Sequence, residues 1–213
     1  LKAKLPETKI LYAAGYPKAG ADTSGFDEAL ALVREADAVI LTLGGKNGSG
    51  SVATMGEGVD AADINLPACQ DTFIREAKKY GKPLIGVHFD GRPISSDTAD
   101  ELLDAILEAW TPAVFGAEAV VNVLTGDDNP SGKLPLTVAR SAGQIPIYYN
   151  HPNGSAWHQG ASIGFQDYVD MSHTPRYSFG HGLSYTTFLH EDLVLEKKQV
   201  NPAEDLKISL TVQ

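Results

Sequence analysis

Two short apolar runs constrain this chain more than any other feature in it. Residues 38–44 (AVILTLG) and 84–89 (LIGVHF) are aliphatic and partly β-branched. Runs of that length and composition read as strands buried on both faces, the kind found in parallel sheets. Between them, residues 66–81 put Cys69, Phe73, Ile74 and Ala77 on one helical stripe, and Gly81 and Pro83 supply a stop. The pattern extends in both directions. Residues 9–15 (KILYAAG) read as a strand. Residues 26–36 read as a helix with Phe26, Leu30 and Val33 on its apolar side and Asp22, Thr23 and Ser24 as candidate caps. Further on, residues 113–125 read as a helix and 133–139 as a strand. Residues 100–110 are ambiguous, because Leu102, Leu103, Ile106, Leu107 and Trp110 also fit a helical stripe. The expected fold is α/β: a mostly parallel sheet flanked by helices on both faces, an α/β sandwich.

After Ser141 the pattern changes. Residues 142–180 are rich in Gly, Pro, Tyr and His and carry no helical stripe. That is too long for an ordinary loop, so it reads as an ordered, loop-rich C-terminal excursion covering another surface. From about residue 189 the composition turns polar and strand-like, with candidate strands at 193–195 and 206–212. A chain of 213 residues can hold one large domain and a fragment of another. It begins at Leu1 rather than Met, and reads as a piece of a longer polypeptide.

The charge balance narrows the partners. A net charge of −10, with no Lys/Arg run longer than two, argues against nucleic acid and against an anionic membrane surface. No apolar stretch is long enough to span a bilayer as a helix. A neutral substrate such as a sugar is compatible with this balance. One cysteine excludes an intrachain disulfide, and Cys69, on a helical stripe, reads as a buried structural thiol.

Ligands of open α/β sheets bind at the carboxyl ends of the strands. The long loop 44–66 occupies such a position. It begins GGKNGSGS, but it lacks phosphate-loop spacing and no helix follows directly. It then presents Glu57 between Gly56 and Gly58, with Asp60 and Asp63 beyond; composition alone makes Glu57 a solvated turn acid. Asp90, Gly91 and Arg92 read as a strand-to-loop turn with an Arg–carboxylate contact. The six histidines (88, 151, 158, 173, 181 and 190) form no HExxH pattern, and there is neither a CxxC nor a GxSxG. Trp157 is a candidate to stack on a sugar face. Residues 176–188 (RYSFGHGLSYTTF) set Tyr177, Phe179, Tyr185 and His181 around Gly180 and Gly182. They read as an ordered turn packed on a core, whose glycines permit a positive φ or a close backbone approach.

That last string closely resembles the PLYPFGHGLSYTTF-type signature near the end of the second domain of glycoside hydrolase family 3. Residues 104–112 (DAILEAWTP), 125–138 (TGDDNPSGKLPLTV) and 144–150 (QIPIYYN) resemble further segments of that family, as do 81–93 (GKPLIGVHFDGRP) and 56–67 (GEGVDAADINLP). The resemblance covers roughly residues 36–190. It implies that residues 1–190 form the family's C-terminal α/β domain. Residues 191–213 would be a linker and the start of a truncated fibronectin-like β domain, and the N-terminal barrel domain is absent from this chain. It also implies that residues 104–110 are a strand rather than the end of a helix.

The function implied is that of the second domain of a retaining, exo-acting β-glycosidase acting on terminal β-linked glucosides or xylosides. Glu57 matches the family's general acid/base, which protonates the departing glycosidic oxygen and later activates water. The nucleophilic Asp would come from the barrel. Asp60, Trp157 and His158 are the substrate-binding candidates, although Asp60 reads better as an acceptor that structures the loop. No cofactor and no metal are implied. The expected partners are a carbohydrate substrate and the intramolecular barrel, with no nucleic acid and no membrane, and the isolated chain is expected to be inactive. One departure stands out: Ala61 replaces the family's Arg. The alternative is a non-catalytic sugar-binding or structural α/β module, with a flavodoxin-like nucleotide-binding domain as a weaker rival.

Overall fold

A computed structural model of the chain describes residues 1–45, 60–150, 168 and 170–213. Its centre is a sheet of three parallel strands in the order β1 (Val39–Gly44), β2 (Leu84–Phe89) and β3 (Ala105–Glu108). Helices α1 (Phe26–Glu35), α2 (Ala68–Lys78), α3 (Asp97–Leu102) and α4 (Gly116–Thr125) alternate with the strands, as an α/β sandwich requires.

The core lies on one face of the sheet. Leu41 and Leu43 of β1 and Leu84 of β2 meet Phe26, Ala29 and Val33 of α1 and Phe73, Ile74 and Ala77 of α2. Phe73 is the hub: its ring packs edge-on against Phe26 and Tyr16, with centroids 5.1 Å away in each case. The expected stripe of α2 is therefore the buried one, and Cys69 on it is buried as well. Burial pushes the Cys69 thiol pKa up, which suits a packed, inert sulfur. Along β1 the faces differ: Leu41 and Leu43 are buried while Ile40 and Thr42 are exposed.

Residues 100–110 divide between a helix and a strand. Ser96 caps α3 by accepting from Ala99 N (3.0 Å), and it donates to Asp71 Oδ1 (2.8 Å) on α2. The helix stops at Leu102, and Asp104 turns the chain into β3 by accepting from Leu84 N (2.8 Å).

Two expected strands are not formed. The first, residues 9–15, carries no strand: residues 11–16 line a groove with α1 and β1, and Tyr12 is exposed. The Tyr16 side chain, not a backbone ladder, reaches β1, donating to Thr42 O (3.1 Å). The candidate caps of α1 also act otherwise: Asp22 accepts from Ser24 N (2.9 Å) in a turn, and Gly25 holds the cap position.

The second, residues 133–139, has its partners in the 176–188 string rather than in the sheet. Val138 bridges Tyr177, Leu134 N donates to His181 O (2.8 Å) and Gly180 N to Leu134 O (2.8 Å). Gly180 takes a positive φ of 81°, and at Gly182 a Cβ would fall 2.2 Å from Gly132 O. One glycine turns the chain and the other admits a crossing backbone. Asn129 Oδ1 then accepts from Tyr185 N and Ser184 Oγ (2.8 Å each), and Tyr185 Oη donates to Val123 O (2.6 Å). The NPSGKLPLTV and RYSFGHGLSYTTF segments are thus two halves of one laced structure.

Arg176 anchors that structure to α3. Its nearly buried guanidinium bonds Ser95 Oγ (3.0 Å), pairs with Asp100 (2.8 Å) and contacts Asp97. Tyr177 Oη donates to Asp100, and its ring stacks on His181 at 5.0 Å. Beyond it, β4 (His190–Leu195) and β5 (Ile208–Val212) form an antiparallel hairpin with every residue exposed.

Candidate functional site

The carboxyl ends of β1, β2 and β3 form one rim, and the long loop leaves from it. Gln70 of α2 holds the departure point with two buried hydrogen bonds: Gly44 N donates to its Oε1 (2.9 Å) and its Nε2 donates to Gly44 O (2.7 Å). Gly44 has φ +104°, and a Cβ there would fall 2.3 Å from Asp90 Oδ1 and 2.4 Å from Phe89 O. Only glycine fits. The returning limb is held as firmly. Asp63 Oδ1 accepts from Asn65 N (2.9 Å) and Nδ2 (2.7 Å), Arg92 Nη2 donates to Asp63 O (3.2 Å) and Ser95 N to Ile64 O (3.1 Å). Leu66 then enters the core.

Of the sequence-derived site residues, Glu57, Trp157 and His158 lie outside the described residues. Asp60 is described and exposed, on the returning limb beside exposed Ala61. At residues 90–92, Arg92 donates to the carbonyls of Asp63 and, at 3.5 Å, Pro93, and its charge acts on Asp90. The strand keeps Asp90 facing inward, while Arg92 is turned towards the loop.

Sequence reasoning missed a cluster at the same rim. Parallel register pairs His88 of β2 with Glu108 of β3, so the two project from one face. Asp90 is two residues beyond His88 and shares that face by the period of an extended chain. His88 Nδ1 lies 3.7 Å from Asp90 Oδ2 and 3.7 Å from Glu108 Oε2, and one ligand atom of each residue falls within 4.8 Å of the others. Asp90 is 0% exposed and His88 5%, while the Glu108 side chain keeps 24% of its surface open.

The backbone around the cluster is tied on both sides. Asp90 N donates to Trp110 O (3.0 Å), Thr111 Oγ1 to Asp90 O (3.1 Å) and Trp110 N to Glu108 Oε1 (2.9 Å). Trp110 takes φ 53°, a left-handed conformation costing about 1–3 kcal/mol that this bonding holds in place. The two Asp90 carboxylate oxygens, by contrast, have no hydrogen-bond partner among the described residues, and neither has His88 Nε2. Burial, then the Glu108 charge, pushes the Asp90 pKa up to about 7, opposed by His88 and Arg92. The histidine-spacing argument could not find this cluster, because its members come from two strands and only their register unites them. The local signal was a His-x-Asp ending a buried strand.

A parallel sheet with interleaved helices, and a long loop leaving the carboxyl rim, define the class: an open α/β domain with its ligand edge at the strand ends. The profile of the glycosyl hydrolase family 3 C-terminal domain matches residues 2–185, and the chain belongs to that family. It is 38% identical over 189 residues to a periplasmic beta-glucosidase of Salmonella typhimurium, covering 88% of this chain and 24% of that protein. To a beta-xylosidase of Formosa agariphila it is 36% identical over 214 residues, covering 100% of this chain and 28% of that protein. Among solved structures, a β-glucosidase from Erythrobacter marinus superposes with a TM-score of 0.80 at 29% identity, over 100% of this chain and 30% of its own. The beta-glucosidase of Listeria innocua in complex with isofagomine gives 0.79 at 28% identity, over 92% and 27%. The chain thus spans about a quarter of the length of the curated relatives it matches.

Proposed function

We propose that this chain is the second domain of a retaining, exo-acting β-glycosidase that removes terminal β-linked glucose or xylose. Residues 1–190 form the α/β domain, and residues 191–213 open a fibronectin-like β domain. The observation that carries the reading is the anchoring of the 44–66 loop. Both of its limbs are fixed at the carboxyl rim, by Gln70 on one side and by Arg92 and Ser95 on the other. A loop held at both ends at this rim can bring a carboxyl group over a neighbouring domain's sugar site. The names of the relatives, beta-glucosidase and beta-xylosidase, support the substrate class.

In this reading Glu57 is the general acid/base, protonating the departing oxygen and then activating the water that releases the sugar. The nucleophile comes from an N-terminal barrel domain about 5 Å across the cleft. Asp60 shapes the loop near the sugar, while Trp157 and His158 contribute to the cleft wall. The 213-residue chain alone has negligible turnover, because it holds one carboxylate of the required pair.

The test is Glu57→Ala in the full-length protein, assayed on aryl β-glucosides and β-xylosides of graded leaving-group pKa. We expect turnover on poor leaving groups to fall by roughly 10²–10⁴-fold, with azide restoring it as the β-glycosyl azide. Near-native rates without azide would remove Glu57 from the role and favour the reading as a non-catalytic module.

A further inference from the structure

We propose that His88, Asp90 and Glu108 form a divalent-cation site at the carboxyl rim, with zinc the cation that fits it best. The site is independent of the glycosidase reading, because none of its ligands is assigned a role in bond cleavage.

The first support is the charge balance of the cluster. Two carboxylates and one imidazole share a nearly closed space, where burial and the Glu108 charge act against the ionised form of Asp90, opposed by His88 and Arg92. A buried carboxylate without hydrogen bonds is rare, and burial disfavours it strongly unless a proton or a cation neutralises it. Asp90 is 0% exposed, and neither of its oxygens has a hydrogen-bond partner among the described residues. A divalent cation would hold the two carboxylates together and give Asp90 the coordination it lacks.

The geometry supplies the second support. The separations of 3.7 Å from His88 Nδ1 to each carboxylate are too long for hydrogen bonds. Ligand atoms around tetrahedral zinc stand roughly 3.3 Å apart, given bond lengths near 2.0–2.1 Å. The His88 separations exceed that by about 0.4 Å and the Asp90–Glu108 pair, within 4.8 Å, by up to about 1.5 Å, so side-chain rotations on the fixed backbone would bring the three ligand atoms together. Two adjacent, hydrogen-bonded strands provide that backbone, in a register that places His88 opposite Glu108. Glu108 Oε1 already accepts from Trp110 N, which orients the carboxylate and leaves Oε2 facing His88.

The donor set selects the metal. One imidazole nitrogen and two carboxylate oxygens suit zinc or a similar first-row cation. Calcium calls for six to eight oxygens, and magnesium for near-octahedral oxygen ligands with several waters retained. Three protein ligands leave a fourth position for water, reached along the part of Glu108 that stays open. Bound there, the cation clips β2 to β3 immediately beside Gly44, where the long loop departs.

The experiment uses the untagged 213-residue chain, stripped with chelator and titrated calorimetrically with Zn²⁺, Mg²⁺ and Ca²⁺, with metal content read by mass spectrometry. We expect one Zn²⁺ per chain at micromolar Kd or tighter, and at least a hundredfold weaker Mg²⁺ and Ca²⁺. At a hundredfold excess over Kd, the melting temperature should rise by roughly 5–10 °C. Asp90→Asn and His88→Gln should each weaken Zn²⁺ at least tenfold. To separate loss of the site from loss of the fold, Co²⁺ is also titrated into the native chain. The strong visible absorption of four-coordinate Co²⁺, abolished by one equivalent of Zn²⁺, supports the site. Zn²⁺ uptake unchanged in Asp90→Asn overturns it. So does a melting temperature that Zn²⁺ does not move while Asp90→Asn alone raises it, since the cluster is then neutralised by a proton.

Discussion

Two strand assemblies in this molecule are built from similar residues and end in opposite environments. In the parallel sheet, Leu41, Leu43, Leu84 and Val87 are all at or below 5% exposure. In the hairpin, Leu193, Leu195, Ile208, Leu210 and Val212 all stand between 47% and 71%. Aliphatic content is therefore a poor guide to which strands hold the fold together. The sheet is covered because its crossovers are helices whose apolar stripes return to it. The hairpin is joined by a polar connection, residues 196–207, that contributes no covering layer. Substitutions should separate the two sharply, and the largest effect belongs at the hub of the covered assembly.

Phe73→Ala should cost about 3–5 kcal/mol, the range for removing a buried aromatic ring. The ring is 2% exposed and supports both Phe26 and Tyr16, so α1 and the segment before it lose their seat together. Urea unfolding followed by circular dichroism reads this directly. A cost below about 1 kcal/mol would mean that the core face is not the stabilising one.

Arg176→Met tests whether the laced excursion belongs to the covered assembly. Removing one partner of a buried ion pair costs up to about 3–5 kcal/mol. Asp97 is largely exposed and recovers its water, so we expect about 2–3 kcal/mol, the share of Asp100 and Ser95. A readout beyond stability is limited proteolysis: residues 170–188 should become accessible well before the sheet does.

Gly44→Ala probes the rim. A left-handed backbone costs a non-glycine residue about 1–2 kcal/mol, and the Asp90 side chain would have to move as well. We expect a loss of about 2 kcal/mol in the 213-residue chain. Under the proposed glycosidase reading, kcat/KM of the full-length protein should fall further than stability explains, because the variant redirects the loop at its root. Equal stability and equal kcat/KM would show that the departure of the loop is not set at Gly44.

How far this contrast was legible in the sequence depends on the range of the interaction. Strands β1 and β2 and the stripe of α2 were readable, since each is a local pattern of apolar residues. The division at Leu102 was not readable from spacing, because Leu102, Leu103, Ile106, Leu107 and Trp110 satisfy a helical stripe; the family resemblance resolved it. The expectation for residues 133–139 failed because its partner lies some forty residues away in the 176–188 string. Tyr16 likewise replaces a ladder by one side-chain bond, which no strand propensity foretells. At the rim, the His88–Glu108 pairing exists only through the register of two strands, so a search for local metal spacings passed over it. The role of Glu57 was reached by resemblance, and Trp157 by the capacity of its ring to stack on a sugar.

The smallest expected effect completes the comparison. Leu210→Ala removes an aliphatic side chain from β5, as Leu84→Ala would from β2, yet its residue is 47% exposed rather than 0%. A half-exposed strand residue transfers little surface from water and leaves no cavity, so the cost should lie within about 0.5 kcal/mol. The same substitution should weaken the full-length protein much more if residues 191–213 open a further β domain, because the hairpin would then face a layer of that domain. Measuring Leu210→Ala in both contexts therefore reads the domain boundary as a difference in stability. Equal, small costs in the two would place the hairpin at a true surface and end the proposal of a fibronectin-like continuation.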